Sequence, residues 1–107
     1  MTLELPAGDW RREIMEYLEN PSKKVSRRIR FQATKYVLLE GELYYRTIDG
    51  VLLRCLDKDE AKVLMGEIHE CVCGSHQSAY KMKWVIRRNE DFWPTMLEDC
   101  FTYYKGC

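Results

Sequence analysis

The sequence predicts a small, mainly α-helical domain that contains a short antiparallel β-meander. Apolar residues recur at helical spacing near both ends of the chain, and a central stretch is rich in strand-forming residues. That stretch is broken twice, at Glu40-Gly41 and at Asp49-Gly50. The expected order is two N-terminal helices, three short strands and a bundle of three helices.

The two N-terminal helices follow from apolar stripes. Asp9 is a candidate N-cap for the first helix, and Asn20-Pro21 ends it. Its apolar face consists of Trp10, Ile14, Tyr17 and Leu18. A second helix is expected to start at Ser22 and to run to about Lys35. Its stripe consists of Val25, Ile29, Ala33 and Tyr36.

The strands are expected within YVLLEGELYYRTIDGVLLRCL, which starts at Tyr36. Asp-Gly is a pair that a tight type I′ hairpin turn favours, so Asp49-Gly50 is expected to form such a turn. Together with the break at Glu40-Gly41, this turn predicts a meander of three strands.

Three helices are expected after the meander. Asp57 and Glu60 resemble a capping box at the start of the first of them. The second is expected from about Ser78 to Asn89, and Phe92-Trp93-Pro94 is expected to open the third. The expected inward faces are Ala61, Leu64, Met65, Ile68 and Val72, then Ala79, Met82, Val85 and Ile86, then Leu97, Cys100, Phe101, Tyr104 and Cys107.

Length and composition indicate one small globular domain, in which a metal would add substantially to stability. The chain has 107 residues, 46% hydrophobic and 32% charged, without an apolar run of membrane-spanning length. The opening MTLELPAGDW lacks the pattern of a signal peptide, which favours an intracellular location. Five cysteines in a reducing compartment indicate metal binding or burial rather than disulfides.

Two basic stretches lie within a chain whose formal net charge is zero, namely SKKVSRRIR and KMKWVIRR. Their Lys and Arg side chains are candidate phosphate contacts, because binding to nucleic acid releases counterions. The candidates are Lys23, Lys24, Arg27, Arg28, Lys81, Lys83, Arg87 and Arg88. The alternative is that each stretch is the solvated face of an amphipathic helix. The aromatic residues Trp84, Phe92 and Trp93 are expected to pack rather than to stack on bases.

A candidate metal site centres on IHECVCGSHQSAYKM. His69 and His76 flank a helix end and a turn, and Cys107 is a plausible third ligand. Zinc sites in small intracellular domains combine such imidazoles and thiolates. The alternative is that the histidines are ordinary surface or core residues. The paired acids Glu90-Asp91 and Glu98-Asp99 are expected to be solvated or to cap helices, because adjacent helical residues do not face each other.

The segment from Tyr36 to Cys107 resembles the N-terminal zinc-binding domain of the integrase of gypsy-type LTR retroelements, a relative of the retroviral His-His-Cys-Cys domain. The matching segments are GELYYRTIDGVLLRCL, EAKVLMGEIHECVCGSHQSAYKMKWVIRR and FWPTMLEDCFTYYKGC. In that family a helix ends in the first histidine, a Cys-Gly-x-His turn holds the second, and a Trp-Pro pair precedes the helix that leads to Cys-x-x-Cys.

The resemblance implies a structural Zn²⁺ held by His69, His76 and Cys107. The family's second cysteine has no counterpart after Cys107, so the site is incomplete in this sequence and the chain is expected to be a fragment or a degenerate copy. Cys73 is a candidate substitute ligand, and the alternative is that it has a structural role. Burial or chance is expected for the remaining cysteines, Cys55, Cys71 and Cys100.

The resemblance also implies a division into a helical linker region, residues 1–34, and an integrase-type zinc-binding domain, residues 35–107. The expected function is a structural, non-catalytic module that supports DNA integration through contact with retroelement DNA and with other integrase subunits. The catalytic core would lie downstream, and no small-molecule substrate is expected. The expected location is the nucleus or a cytoplasmic particle. The alternative is a metal-free protein-interaction domain or a retrotransposon fragment with no remaining activity.

Overall fold

The computed structural model describes the backbone of residues 8–72 and 78–105 and the side chains of residues 8–69 and 79–103. The described helices are α1 (Arg12–Glu19), α2 (Arg27–Ala33), α3 (Lys58–Val72), α4 (Ser78–Arg88) and α5 (Met96–Lys105). The described strands are β1 (Tyr36–Leu39), β2 (Glu42–Arg46), β3 (Leu52–Cys55) and β4 (Asp91–Phe92). Helices account for about half of the chain, as expected for a mainly helical domain with a small sheet.

The sheet differs from the predicted three-stranded meander. Its order is β1-β2-β3-β4, with β4 parallel to β3 and the other pairs antiparallel, so the sheet is mixed. The Arg54 amide donates to the Glu90 carbonyl at 2.7 Å, and the Leu56 amide donates to the Phe92 carbonyl at 2.9 Å. Glu90 reverses the chain after α4 with a φ of 63°. The fourth strand has only two residues, too few to show the alternation that marks a strand in sequence.

The tight turn lies at the first glycine-containing break, Glu40-Gly41, rather than at the second, Asp49-Gly50. Glu40 and Gly41 alone join β1 to β2, and both have positive φ, 49° and 80°, as a type I′ turn requires. The prediction of a type I′ turn at Asp49-Gly50 is wrong, because only Gly50 has positive φ there. A longer loop, residues 47–51, joins β2 to β3. Thr47 organises it, since its hydroxyl oxygen accepts from the Val51 amide at 3.0 Å.

Side-chain caps fix where the helices begin. Asp57 and Glu60 form the predicted capping box. The Glu60 amide donates to the Asp57 carboxylate at 2.7 Å, and the Asp57 amide donates to the Glu60 carboxylate at 3.0 Å. Helix α2 begins later than predicted, because the Ser26 hydroxyl, rather than Ser22, caps it by accepting from the Ile29 amide at 3.2 Å. The N-cap position of α1 is Arg11 rather than the predicted Asp9, but the Asp9 carboxylate still accepts from the Arg11 amide at 2.9 Å at the start of the helix.

Helix α5 begins at Met96, not at the Phe92-Trp93-Pro94 segment. Phe92 belongs to β4, and Pro94 precedes the helix rather than occupying its first turn. The Thr95 carbonyl accepts the bond from the Asp99 amide at 2.9 Å that starts the helix. Pro94 has no amide hydrogen to donate, and the helix begins two residues after it.

Two clusters of buried side chains form the core. One belongs to α3, α4 and α5 and consists of Leu56, Ala61, Met65, Ile68, Ala79, Met82, Ile86, Trp93, Met96 and Cys100. The other joins α1 and α2 to the sheet and consists of Ile14, Met15, Ala33, Tyr36, Leu43 and Cys55. Trp10 and Phe92 pack against both clusters, so the two cores are continuous through these rings.

The start of α1 is fastened to the junction of β3 and α3. The Trp10 indole donates to the Leu56 carbonyl at 2.8 Å. The Arg11 guanidinium binds the Asp9 carboxylate through two nitrogens, at 3.0 and 2.7 Å, and donates to the Cys55 carbonyl at 3.3 Å. The Arg11 hydrogen bond holds the pKa of Asp9 below its usual range. Both partners are largely buried, which makes this pair a structural tie rather than a surface contact.

The proposed boundary after residue 34 lies inside the second cluster. Ile14 and Ala33 precede the boundary and share that cluster with Tyr36 and Leu43, which follow it. The division into residues 1–34 and 35–107 stays a prediction. Among the helices that the structure describes, none combines the length and apolarity that crossing a membrane requires.

Candidate metal centre and nucleic-acid interface

Helix α4 divides the stretch KMKWVIRR into a buried face and an outward face. Met82 and Ile86 point into the core and are completely buried. The outward face carries Tyr80, Lys83, Trp84, Arg87 and Arg88, which recur at the spacing of a single helix face. The Arg88 guanidinium lies over the Trp84 ring, 5.1 Å from its centroid. The structure therefore brings three of the predicted phosphate contacts onto one face, beside two exposed aromatic rings.

A groove of about 690 Å³ separates this face of α4 from the loop between β2 and β3. The loop contributes Thr47, Asp49 and Val51 to the opposite wall, and Leu53 forms part of the floor. Asp49 is the one acidic side chain that lines the groove, against three basic side chains from α4. The net charge of the lining is therefore positive.

Lys81 and the first basic stretch lie outside this groove. Lys81 is exposed on α4 but does not line the groove. Lys23 is bound to Glu16 at 3.0 Å, and Lys24 is exposed in the segment before α2. Arg27 and Arg28 are exposed at the start of α2, where the helix dipole disfavours positive charge.

Of the four candidate metal ligands, His69 is the one whose side chain the structure describes. His69 lies in the last turn of α3, and its ring centroid is 5.3 Å from that of Tyr103 on α5. His76, Cys73 and Cys107 lie outside the described residues. Among the described side chains, those of residues 8–69 and 79–103, no three from His, Cys, Asp or Glu are grouped so that they could hold a metal ion. This absence leaves the predicted set untested, because three of its four members fall in the gaps.

Two cysteines that were expected to be buried have inert thiols. Cys55 is the last residue of β3 and Cys100 lies on α5, and both are free and buried. Burial raises the pKa of the Cys55 thiol to about 12 and that of Cys100 to about 11. Since thiolates rather than thiols bind metals, neither side chain is prepared for that role.

The paired acids have structural roles. The Asp99 carboxylate accepts from the Trp93 indole at 2.7 Å and from the Thr95 hydroxyl at 2.8 Å. Burial raises the pKa of Asp91, and Arg54, whose Nε lies 3.6 Å from the carboxylate, opposes this shift. Glu90 and Glu98 are exposed. Glu90 and Glu98 therefore agree with the expectation of solvated residues, whereas Asp91, largely buried in β4, and Asp99, bound to two side chains, do not.

No family model matches the chain, and comparisons with curated proteins and with solved structures also find no match. The resemblance to the integrase domain therefore rests on the motifs quoted above.

Sequence reasoning missed the aromatic part of the groove. Trp93 is buried and Phe92 stacks on Tyr45 with centroids 4.1 Å apart, as the packing expectation requires. The expectation of packing is wrong for Trp84, which is 59% exposed. The separate prediction that Phe101 faces inward on α5 is also wrong, because Phe101 is exposed. The signal was present, because Tyr80 and Trp84 lie out of phase with the apolar stripe of α4.

Proposed function

We propose that the chain is a structural zinc-binding module of a gypsy-type retroelement integrase, which supports DNA integration through nucleic-acid contact and subunit assembly. In this proposal the module has no catalytic activity of its own. The observation that carries it is the contact between His69 and Tyr103, because it brings the C-terminal ends of α3 and α5 together. The helices that carry His69 and Tyr103 are therefore neighbours. Tyr103 precedes the candidate ligand Cys107 by four residues in the sequence.

The donor set suits zinc. Neutral imidazoles and a thiolate are ligands that Zn²⁺ prefers, and a closed site of this kind contributes directly to folding stability. In the proposed site His69, His76 and Cys107 hold the ion, with Cys73 as a substitute ligand. The ion would tie α3 to α5 and has no chemical step to perform.

The finer fold prediction, a three-helix bundle that zinc closes, belongs to this proposal. Support comes from the shared core cluster, in which Met65 of α3, Met82 of α4 and Cys100 of α5 are all buried. A small bundle of this size gains from a metal tie because its core alone is modest. At a free Zn²⁺ concentration 100 times the dissociation constant, binding would raise the free energy of unfolding by about 2.7 kcal/mol.

The nucleic-acid part of the proposal is supported by the outward face of α4. Lys83, Arg87 and Arg88 line one groove, so their charges act on the same ligand. Contacts of this kind position phosphates and make binding depend on salt concentration. Absence of binding at low salt would remove the DNA role and leave assembly as the function of the module.

Ligand variants test the zinc site. His69→Ala and His76→Ala should each lower the zinc content per chain, and should weaken the visible absorption of a Co²⁺-substituted sample. Cys100→Ala is the matched control, because it removes a buried cysteine that is not a proposed ligand. Equal zinc content in all variants would contradict the assignment, whatever their stability.

An apolar groove favours the alternative, a metal-free interaction domain. This second groove, of about 620 Å³, lies between α3 and α5 and is lined by Trp10, Ala61, Met65, Trp93 and Tyr103, among others. Such a lining fits a protein ligand. Zinc content discriminates the two functions, because the interaction domain needs no metal to fold.

A further inference from the structure

We infer that the groove between α4 and the β2–β3 loop binds single-stranded nucleic acid, with unpaired bases stacked on Trp84 and Tyr80. This inference deepens the proposed nucleic-acid contact and rests on that part of the proposed function, but it does not depend on zinc. It names the ligand as an unpaired strand rather than a duplex.

The exposed rings are the first reason. Trp84 is 59% exposed and Tyr80 is 58% exposed, although both are large apolar side chains. The Tyr80 ring meets Phe101 edge to face, with centroids 5.1 Å apart at 88°, so a ring on α5 fixes its orientation. Arg88 lies over Trp84 at 5.1 Å and restrains that ring in turn. Rings held in this way form a platform without much loss of side-chain entropy on binding.

Geometry favours an unpaired strand. Tyr80 and Trp84 are four residues apart on α4, which corresponds to a rise of about 6 Å along the helix. Stacked bases along one strand of a duplex are only about 3.4 Å apart, and pairing and stacking cover their faces. A base can therefore lie on each ring only where the strand is unpaired and locally unstacked.

Charge identifies the ligand as an anion rather than an apolar peptide. Lys83, Arg87 and Arg88 lie beside the two rings, and Asp49 is the single acidic side chain of the groove lining. Basic side chains that alternate with exposed aromatics are the features that bind unpaired strands, because phosphates meet the charges while bases meet the rings. The loop wall completes the groove, with Thr47 and Val51 facing α4.

The test compares ligands that differ only in their bases. Binding of the full chain to a fluorescent 15-nucleotide oligo(dT), to an abasic strand of the same length and to a 15-base-pair duplex is measured by fluorescence anisotropy at low salt. The inference expects oligo(dT) to bind most tightly. Trp84→Ala should weaken oligo(dT) binding about 30-fold, the middle of the range for one stacked base, and should leave the abasic strand unchanged.

Matched variants control for loss of charge and of exposed aromatic area. Phe31 is also exposed, with the Lys35 ammonium 4.9 Å from its ring centroid, but it lies on α2 outside the groove, so Phe31→Ala should leave binding unchanged. Arg87→Gln should reduce the slope of log affinity against log salt by about 0.7, whereas Lys81→Gln on the same helix should not. Circular dichroism of each variant verifies that the fold is intact.

Four results would overturn the inference. Equal loss of oligo(dT) and abasic binding in Trp84→Ala, or tighter binding of the duplex, would mean phosphate contact without stacking and would leave the proposed function intact. Binding to none of the three ligands would overturn the nucleic-acid part of the proposed function as well. A change of molar mass by light scattering in Trp84→Ala, without strand binding in the parent protein, would assign the groove to contact between copies of the chain.

Discussion

Truncation of Ile14 should destabilise the whole domain. Ile14 is 3% exposed on α1 and belongs to the cluster that includes Tyr36 and Leu43. Ile14→Ala removes three carbon atoms from that cluster, which costs about 2.4 kcal/mol at about 0.8 kcal/mol each. The remaining cavity adds to this loss, while the better helix propensity of alanine returns a few tenths of a kcal/mol. The expected loss in free energy of unfolding is about 3 kcal/mol.

Urea denaturation followed by circular dichroism measures this loss. With a slope of about 1–3 kcal/mol/M, the midpoint should fall by about 1–3 M. Ile48→Ala is the matched control, because Ile48 is fully exposed in the loop between β2 and β3 and its truncation should change stability by less than about 0.5 kcal/mol. Hydrogen exchange of amides in α4 should accelerate together with those in α1.

Two outcomes would refute the reasoning. If Ile14→Ala costs no more than Ile48→Ala, the packing of α1 on the sheet contributes little to stability. If the loss appears in α1 and α2 alone, while α4 keeps its protection, residues 1–34 form a separate unit, as the predicted linker requires. Loss of protection across both core clusters would instead place the two regions in one cooperative unit.

Three further predictions follow from the described contacts. Arg11→Met should lower the free energy of unfolding, measured by urea denaturation, by about 3 kcal/mol, because it leaves the buried Asp9 carboxylate unpaired. Arg12 is more exposed, so Arg12→Met should lower it by less than about 1 kcal/mol, and equal losses would contradict the prediction. Asp57→Ala should cost about 1 kcal/mol through the lost cap, and no change in midpoint would refute it. Burial raises the pKa of Cys55 to about 12 and of Cys100 to about 11. The stability that these buried thiols contribute should be fully present below the unfolded thiol pKa, near 9, and should be lost as pH rises towards the two folded values. A free energy of unfolding that stays constant from about pH 8 to 11, in both the parent and Cys100→Ala, would contradict this.

Local chemistry made part of the fold predictable. The capping box is a contact between residues three apart, so Asp57 and Glu60 identify it without knowledge of the rest of the chain. The buried positions Met82 and Ile86 follow from helical spacing for the same reason. The sequence does not identify Ser26 as the cap, because Val25 continues the apolar stripe of α2 although it lies before the helix and is half-buried.

Features that depend on distant partners were not predictable. Strand β4 exists because the edge of β3 accepts Asp91 and Phe92, and nothing within those two residues indicates a strand. The groove depends likewise on the position of the loop that contains Thr47 and Asp49 relative to α4. The candidate basic residues of α4 came from composition, and the exposure of Trp84 could have been predicted from its position outside the apolar stripe that Met82 and Ile86 define.

The central claim is the zinc site, and elemental analysis of zinc per chain tests it most directly. The measurement is made on this chain and on a version extended after Cys107 by two residues and a cysteine, which provides the fourth ligand of the resembled motif. The account predicts about one zinc per chain in the extended protein, and loss of that zinc when His69 is replaced by alanine. An extended protein that contains no zinc, with the domain folded, would contradict the account and favour the metal-free interaction domain.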